Sequence, residues 1–228
     1  LSKRFEAKGN LMKNILKIGI PVAFQDGFIQ ISFIIITIIA NRRGLDDAAA
    51  VGIVEKLIGI LFLVPSSLLS TVSVISAQNL GAGKPERAKA TLRYATITNV
   101  GIGIVSAVSM QFFAEGAVGL FTSDTNVILY GGEYMRSYVW DCILVGVHFC
   151  FSGYFCACGK SGISFLHNFL SIVLARVPIA YFASKMFADT LFQMGFAAPI
   201  GSVLSVIICV IAYIVINKKS KSSKAVSA

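Results

Sequence analysis

Charge is what this sequence has least of. Only 14% of its 228 residues are charged, against about 25% in a typical soluble domain, and that scarcity excludes an ordinary water-facing surface. Metal-binding and catalytic patterns are missing as well. The two histidines, His148 and His167, lie in or beside apolar runs with no H-E-x-x-H arrangement. The five cysteines (Cys142, Cys150, Cys156, Cys158 and Cys209) all fall within apolar runs, where a thiol behaves as a small buried hydrophobe. Cys156-Ala157-Cys158 is too closely spaced for a C-x-x-C redox or zinc pair. The sequence therefore predicts no disulfide framework, no metal site and no cofactor. No convergent nucleophile and base mark an enzyme. Two stretches imitate a phosphate-binding loop and fail: Cys158-Gly159-Lys160-Ser161 has Tyr154 where the first glycine belongs, and Gly81-Ala82-Gly83-Lys84 runs into Pro85.

What the sequence does have is long apolar runs. Hydrophobic residues make up 56% and the mean hydropathy is +0.78, the composition of an integral membrane protein. Six runs approach the ~20 residues that cross a bilayer: Ile18–Ala40, Val51–Ser76, Ala95–Phe113, Tyr134–Ala157, Ile163–Phe187 and Leu191–Ile216. Residues 1–17 read as a basic linker that becomes an amphipathic surface helix, and 217–228 as a basic tail without structure. The net charge of +9 is not a nucleic-acid signal, because the basic residues edge the apolar runs. Fourteen Lys and Arg fall on the side of the two ends, the loop after the second run and the loop after the fourth; four fall on the other side. Cytoplasmic loops carry the excess of Lys and Arg, so the expected topology is six spans with both termini in the cytoplasm, and the expected location is the plasma membrane.

Ionisable groups inside spans are costly and are functional candidates by default. Asp26, beside Gln25 and near Gln30, lies about two turns into the first span. Asp141 lies in the fourth span with Tyr138, and Arg176 is in the middle of the fifth. Glu55 and Lys56, near the outer end of the second span, read as snorkelling groups at least as readily as groups with a role in transport. Pro65, Pro178 and Pro199 interrupt the helical hydrogen-bond ladder where bending is tolerated. The external loop is read as Glu115 to Glu133, with Thr122 or Ser123 as a helix cap.

The most distinctive stretch is the polar hairpin Gln78-Asn79-Leu80-Gly81-Ala82-Gly83-Lys84-Pro85-Glu86-Arg87-Ala88-Lys89. Gly81 and Gly83 allow a sharp turn, and Pro85 and Glu86 suit the first turn of a short basic helix. This stretch closely resembles a signature of the multidrug and toxic compound extrusion (MATE) transporters. Ile18-Gly19-Ile20-Pro21 resembles the G-x-P opening of the second lobe in that family, and Val51 to Lys56 the start of its next helix. Phe121-Thr122-Ser123-Asp124 resembles its F-T-x-D run, Ala175-Arg176-Val177-Pro178 its R-[IV]-P segment, and Phe196 to Ile200 the entry to its final helix. The resemblance covers nearly the whole chain, in order.

It implies one six-helix lobe, the second, of a twelve-helix pseudo-two-fold transporter. The chain opens on Leu1, and the first lobe is expected upstream as its partner, alongside the lipid bilayer and small organic substrates. The implied activity is secondary antiport, with organic and often cationic compounds moving out as Na⁺ or H⁺ moves in. Some sodium-coupled relatives place carboxylates on the first and fourth helices of this lobe, the helices of Asp26 and Asp141. A lipid-linked-oligosaccharide flippase of the same superfamily is the alternative; it calls for a more cationic cavity than the single mid-span base Arg176 provides.

Overall fold

The computed structural model describes residues 9–226, and among them every regular element is helical. The helices are α1 (Gly9–Asn41), α2 (Leu45–Leu61), α3 (Leu63–Gly81), α4 (Pro85–Gly119), α5 (Thr125–Tyr138), α6 (Asp141–Ala157), α7 (Ser161–Ser171), α8 (Val177–Met186), the single turn α9 (Phe192–Gly195) and α10 (Ala197–Val226). Five stretches are long and apolar enough to cross a membrane: 19–41, 45–81, 85–119, 161–186 and 192–218. The α5–α6 pair, bent by 47° at its break, makes a sixth. Large apolar side chains turn outward, with Phe112 77% and Phe113 66% exposed. Lipid tails solvate such a surface and water does not, so the lobe is a multi-pass membrane bundle.

α6 is the axis of the bundle. Twelve of its 17 residues are buried, and it packs against α3, α4, α7 and α10. Glycines allow the closest approaches: a Cβ on Gly103 of α4 would lie 2.8 Å from the Cys142 carbonyl oxygen, and one on Gly153 of α6 would overlap the Leu69 carbonyl of α3. Small residues let membrane helices meet backbone to backbone, where packing replaces the missing hydrophobic drive. Asn99 of α4 fastens this contact, its amide donating to the Gly146 carbonyl at 3.1 Å.

The breaks have local causes. α2 and α3 form one span interrupted at Phe62, three residues before Pro65, and α9 and α10 are interrupted at Phe196, three residues before Pro199. A proline in a helix clashes with the carbonyl four residues back and supplies no N–H to it, so the ladder gives way just ahead of it. Before Pro178 the chain widens instead into a π-helical turn, Ile172–Arg176. Pro21 does not open a helix; it lies inside α1, which is continuous from Gly9.

The hairpin turns on one glycine, not two. Gly83 has φ of +70°, while Gly81 is the last residue of α3. The Gly83 N–H bonds to Leu80 O at 3.1 Å and the Lys84 N–H to Asn79 O at 2.8 Å, the paired bonds of a Schellman cap. Gly159, with φ of +69°, repeats the device at the end of α6, through Gly159 to Cys156 and Lys160 to Phe155. The two pseudo-phosphate loops are thus helix stops.

Several boundaries differ from the sequence reading. The expected loop from Glu115 to Glu133 shrinks to the stretch between α4 and α5, because its apolar residues extend the flanking helices. Its cap is Asp124, which accepts from the backbone of Asn126 at 2.9 Å and Val127 at 3.3 Å, while Thr122 accepts from Asp124 N. The short basic helix is the start of the 35-residue α4. Residues 9–17 belong to α1, and 217–226 continue α10 rather than lacking structure; residues 1–8 and 227–228 lie outside the described part.

At the end opposite the glycine hairpin, Arg43 ties the α1–α2 turn to the α8–α9 loop. Its guanidinium pairs with Asp47 at 2.6 Å and donates to the carbonyls of Ser184, Phe187, Ala188 and Thr190. Ser184 lies in the last turn of α8, where carbonyls lack helical partners, and the other three belong to its C-cap and the loop beyond. Arg43→Ala should therefore lower stability by about 2–4 kcal/mol, read as a lower thermal midpoint in detergent, and Arg43→Lys, which lacks the planar fork, should recover only part of it.

Candidate functional site

Polar side chains gather in two places within the lobe. The first is a buried cluster where α5, α6, α7, the π-helical turn and α10 converge. Its central charge is Arg176, the last residue of the π-helical turn and 8% exposed. The guanidinium donates to the Tyr138 hydroxyl and lies 4.6 Å from the centre of the Phe33 ring on α1. The carboxylates of Asp141 and Glu55 act on it electrostatically, yet among the described residues no carboxylate pairs with it directly. Asp141 is 1% exposed. The break after Tyr138 makes it the first residue of α6, at the positive end of that helix dipole.

Around these charges runs a file of buried hydroxyls and imidazoles. His167 bridges Ser152 of α6 at 2.8 Å and Ser205 of α10 at 2.6 Å, using both ring nitrogens. His148 lies edge-on to His167 with ring centres 5.5 Å apart, and its Nε2 is 3.4 Å from the Ser202 hydroxyl. A cavity of about 40 Å³ sits among Asp141, His148, Asn168, Arg176 and Ser202, room for roughly one water molecule or small cation. Three atoms of its lining residues, Asp141 Oδ1, His148 Nδ1 and Arg176 Nε, have no protein hydrogen-bond partner.

The second place is an open cleft of about 450 Å³ between α1 and α3. Asp26 and Gln30 are exposed on it, with Ser66 and Ser70 opposite. Gln25 also lines the cleft but is buried, and it accepts from the Ser164 hydroxyl at 2.7 Å, which anchors α1 to α7 at the cleft floor. Ile29, Phe62 and Phe149 line both spaces and form the apolar wall between them, with Phe62 standing at the α2–α3 break.

The sequence candidates thus divide. Tyr138, Asp141 and Arg176 come together in the core; Asp26 and Gln25 belong to the cleft and its floor. Of the pair that the sequence leaves open between snorkelling and transport, Glu55 turns inward and accepts from Thr37 of α1 at 3.0 Å, its other oxygen buried without a partner, while Lys56 is exposed. His148, His167 and their serines carry no sequence signal as a unit, because they lie on three helices.

The arrangement is that of a membrane-embedded carrier: a bundle of bent spans with charge held inside it and a polar face open to one side. The MatE family model matches residues 21–182, and the chain belongs to this family of membrane transporters. It is 26% identical over 187 residues to a probable multidrug resistance protein, YpnP, of Bacillus subtilis, covering 82% of this chain and 41% of that protein. A protein of Shewanella oneidensis named as a FAD transporter is 29% identical over 163 residues, covering 71% of this chain and 35% of its own length. In fold, the chain matches the crystal structure of a MATE protein in complex with MaL6 at a TM-score of 0.86 with 16% identity, covering 95% of this chain and 49% of that one. The Vibrio cholerae MATE transporter VcmN matches at 0.84 with 16% identity, covering 97% and 50%. The chain therefore spans less than half the length of these curated relatives, and its helices match half of the MATE fold.

If Arg176 balances the buried carboxylates, its removal leaves them uncompensated. Arg176→Gln should cost about 3–5 kcal/mol, and Asp141→Asn should cost less in that background than alone. Unfolding of the two single variants and the double variant in detergent measures the coupling; strictly additive costs would separate the two groups.

Proposed function

We propose that this chain is the C-terminal lobe of a secondary antiporter that exports organic, often cationic compounds in exchange for Na⁺ or H⁺. In this reading an N-terminal lobe of the same polypeptide faces the Asp26 cleft, and the two lobes rock about a substrate held between them. The observation that carries it is the charge arrangement. Asp141 and Glu55 act on the single guanidinium of Arg176, so with both carboxylates ionised the cluster has room for one further positive charge, a proton or Na⁺. The cleft beside it carries Asp26 and, among the described residues, no Lys or Arg lining it. That polarity favours a cationic passenger over a phosphate-bearing one, and so weighs against the flippase reading and against a nucleotide cargo such as the Shewanella relative's name describes.

Asp26→Asn in the full-length protein keeps the shape and removes the charge. It should leave expression intact and abolish ion-driven efflux of a cationic dye from loaded cells. Unchanged efflux would remove Asp26 from the transport cycle and leave the coupling role with the Asp141 cluster or the other lobe.

Both termini and the Gly83 hairpin are proposed to face the cytoplasm, on the strength of the Lys and Arg asymmetry. In a cysteine-free background, Lys84→Cys should react with a membrane-impermeant maleimide only after the cells are opened, and Ser123→Cys in intact cells. The reverse pattern would overturn the orientation.

A further inference from the structure

A second cleft, of about 550 Å³, lies on the far side of α6 from the Asp26 face, between the beginning of α4 and the end of α10. It is lined by Glu86, Lys89, Ala90, Arg93, Tyr94 and Ile97 of α4, with Phe151 of α6 and Tyr213 of α10 among its other walls. Positions 86, 89, 93 and 97 follow the three-to-four-residue spacing of one helix stripe. Along that stripe the character changes from charged at Glu86, Lys89 and Arg93 to apolar at Ile97, within about 12 Å from Lys89 to Ile97 at 1.5 Å per residue.

This is the profile of a headgroup boundary. The charged end lies next to the Gly83 hairpin, where the chain leaves the bundle, and the apolar end opens onto the lipid-facing surface of α4, where Ile97 is 60% exposed. Tyr94 and Tyr213 both line the cleft, and tyrosines collect at such boundaries in membrane proteins. The Arg93 guanidinium lies 5.4 Å from the centre of the Tyr94 ring, and Lys89 pairs with Glu86 at 2.7 Å, so two cations stand over one carboxylate. Below them Phe151 and Tyr213 meet edge-on with ring centres 5.6 Å apart and provide a smooth wall for an alkyl chain.

We propose that this cleft binds an anionic glycerophospholipid, with the headgroup phosphate held by Arg93 and Lys89 and an acyl chain laid against Ile97, Phe151 and Tyr213. Basic clefts between membrane helices select such headgroups. A bound lipid would join α4 to α10 at the rim, on the side away from the transport cleft. The leaflet from which the lipid comes rests on the orientation proposed above; binding itself can be measured in detergent, where orientation plays no part.

The intact protein in a neutral detergent, mixed with phosphatidylglycerol or phosphatidylcholine of the same acyl composition, should retain the anionic lipid preferentially in native mass spectrometry. Removing both charges (Lys89→Gln with Arg93→Gln) should weaken phosphatidylglycerol retention about thirtyfold and leave phosphatidylcholine unchanged. Both side chains lie at the surface of α4, and an unchanged thermal midpoint confirms the fold. Ala90→Trp, which fills the cleft without altering charge, should also reduce phosphatidylglycerol retention. Equal retention of the two lipids by the unaltered protein, or undiminished phosphatidylglycerol retention in the charge variant, would overturn the proposal. So would displacement of the lipid by millimolar inorganic phosphate, which would mark a site for the free anion.

Discussion

A guanidinium sits inside this lobe without a carboxylate in direct contact. Arg176 cannot lose its proton in a protein, and hydrocarbon offers it no hydrogen bonds, so its charge has to be answered by the helices around it. The answer is distributed: the Tyr138 hydroxyl, the face of Phe33, and the longer-range field of Asp141 and Glu55. Those groups come from α5, α1, α6 and α2, which means that four helices are held in register by one cation.

The backbone is irregular where that charge is housed. The π-helical turn carries Arg176 ahead of Pro178, the bend after Tyr138 makes Asp141 a helix start, and the Phe62 break interrupts the wall between the two polar spaces. Non-helical backbone at membrane depth is tolerated only where protein or a water-lined cavity satisfies it, and all three irregularities border such a cavity. The closest packing of the lobe lies elsewhere, in the glycine contacts of α3 and α4 with α6, and the Arg43 tie holds one end. Close packing on one side and interrupted helices on the other is the arrangement that the proposed rocking of the lobe calls for.

Much of this was legible in the sequence. Apolar runs near bilayer length required helices, because only a helix satisfies its own backbone within a single segment in lipid; the prolines marked where the ladder gives way; and the Gly83 hairpin, with its neighbours along the chain, carried the family resemblance. Asp141, Tyr138 and Arg176 could be singled out because a charge or a phenol within an apolar run has to be explained by something. What the sequence determined were properties of single segments. It did not determine which side of a segment faces inward, and that is why the sequence leaves Glu55 open between a snorkelling and a transport group, and reads the residues from Glu115 to Glu133 as a loop. Those questions depend on which neighbour a helix face meets, and the neighbours of α6 come from places scattered along the whole chain. Only the tertiary structure put His167 between Ser152 and Ser205, and Arg176 within the field of two carboxylates, because burial is decided by packing between helices and not by the order of residues within one.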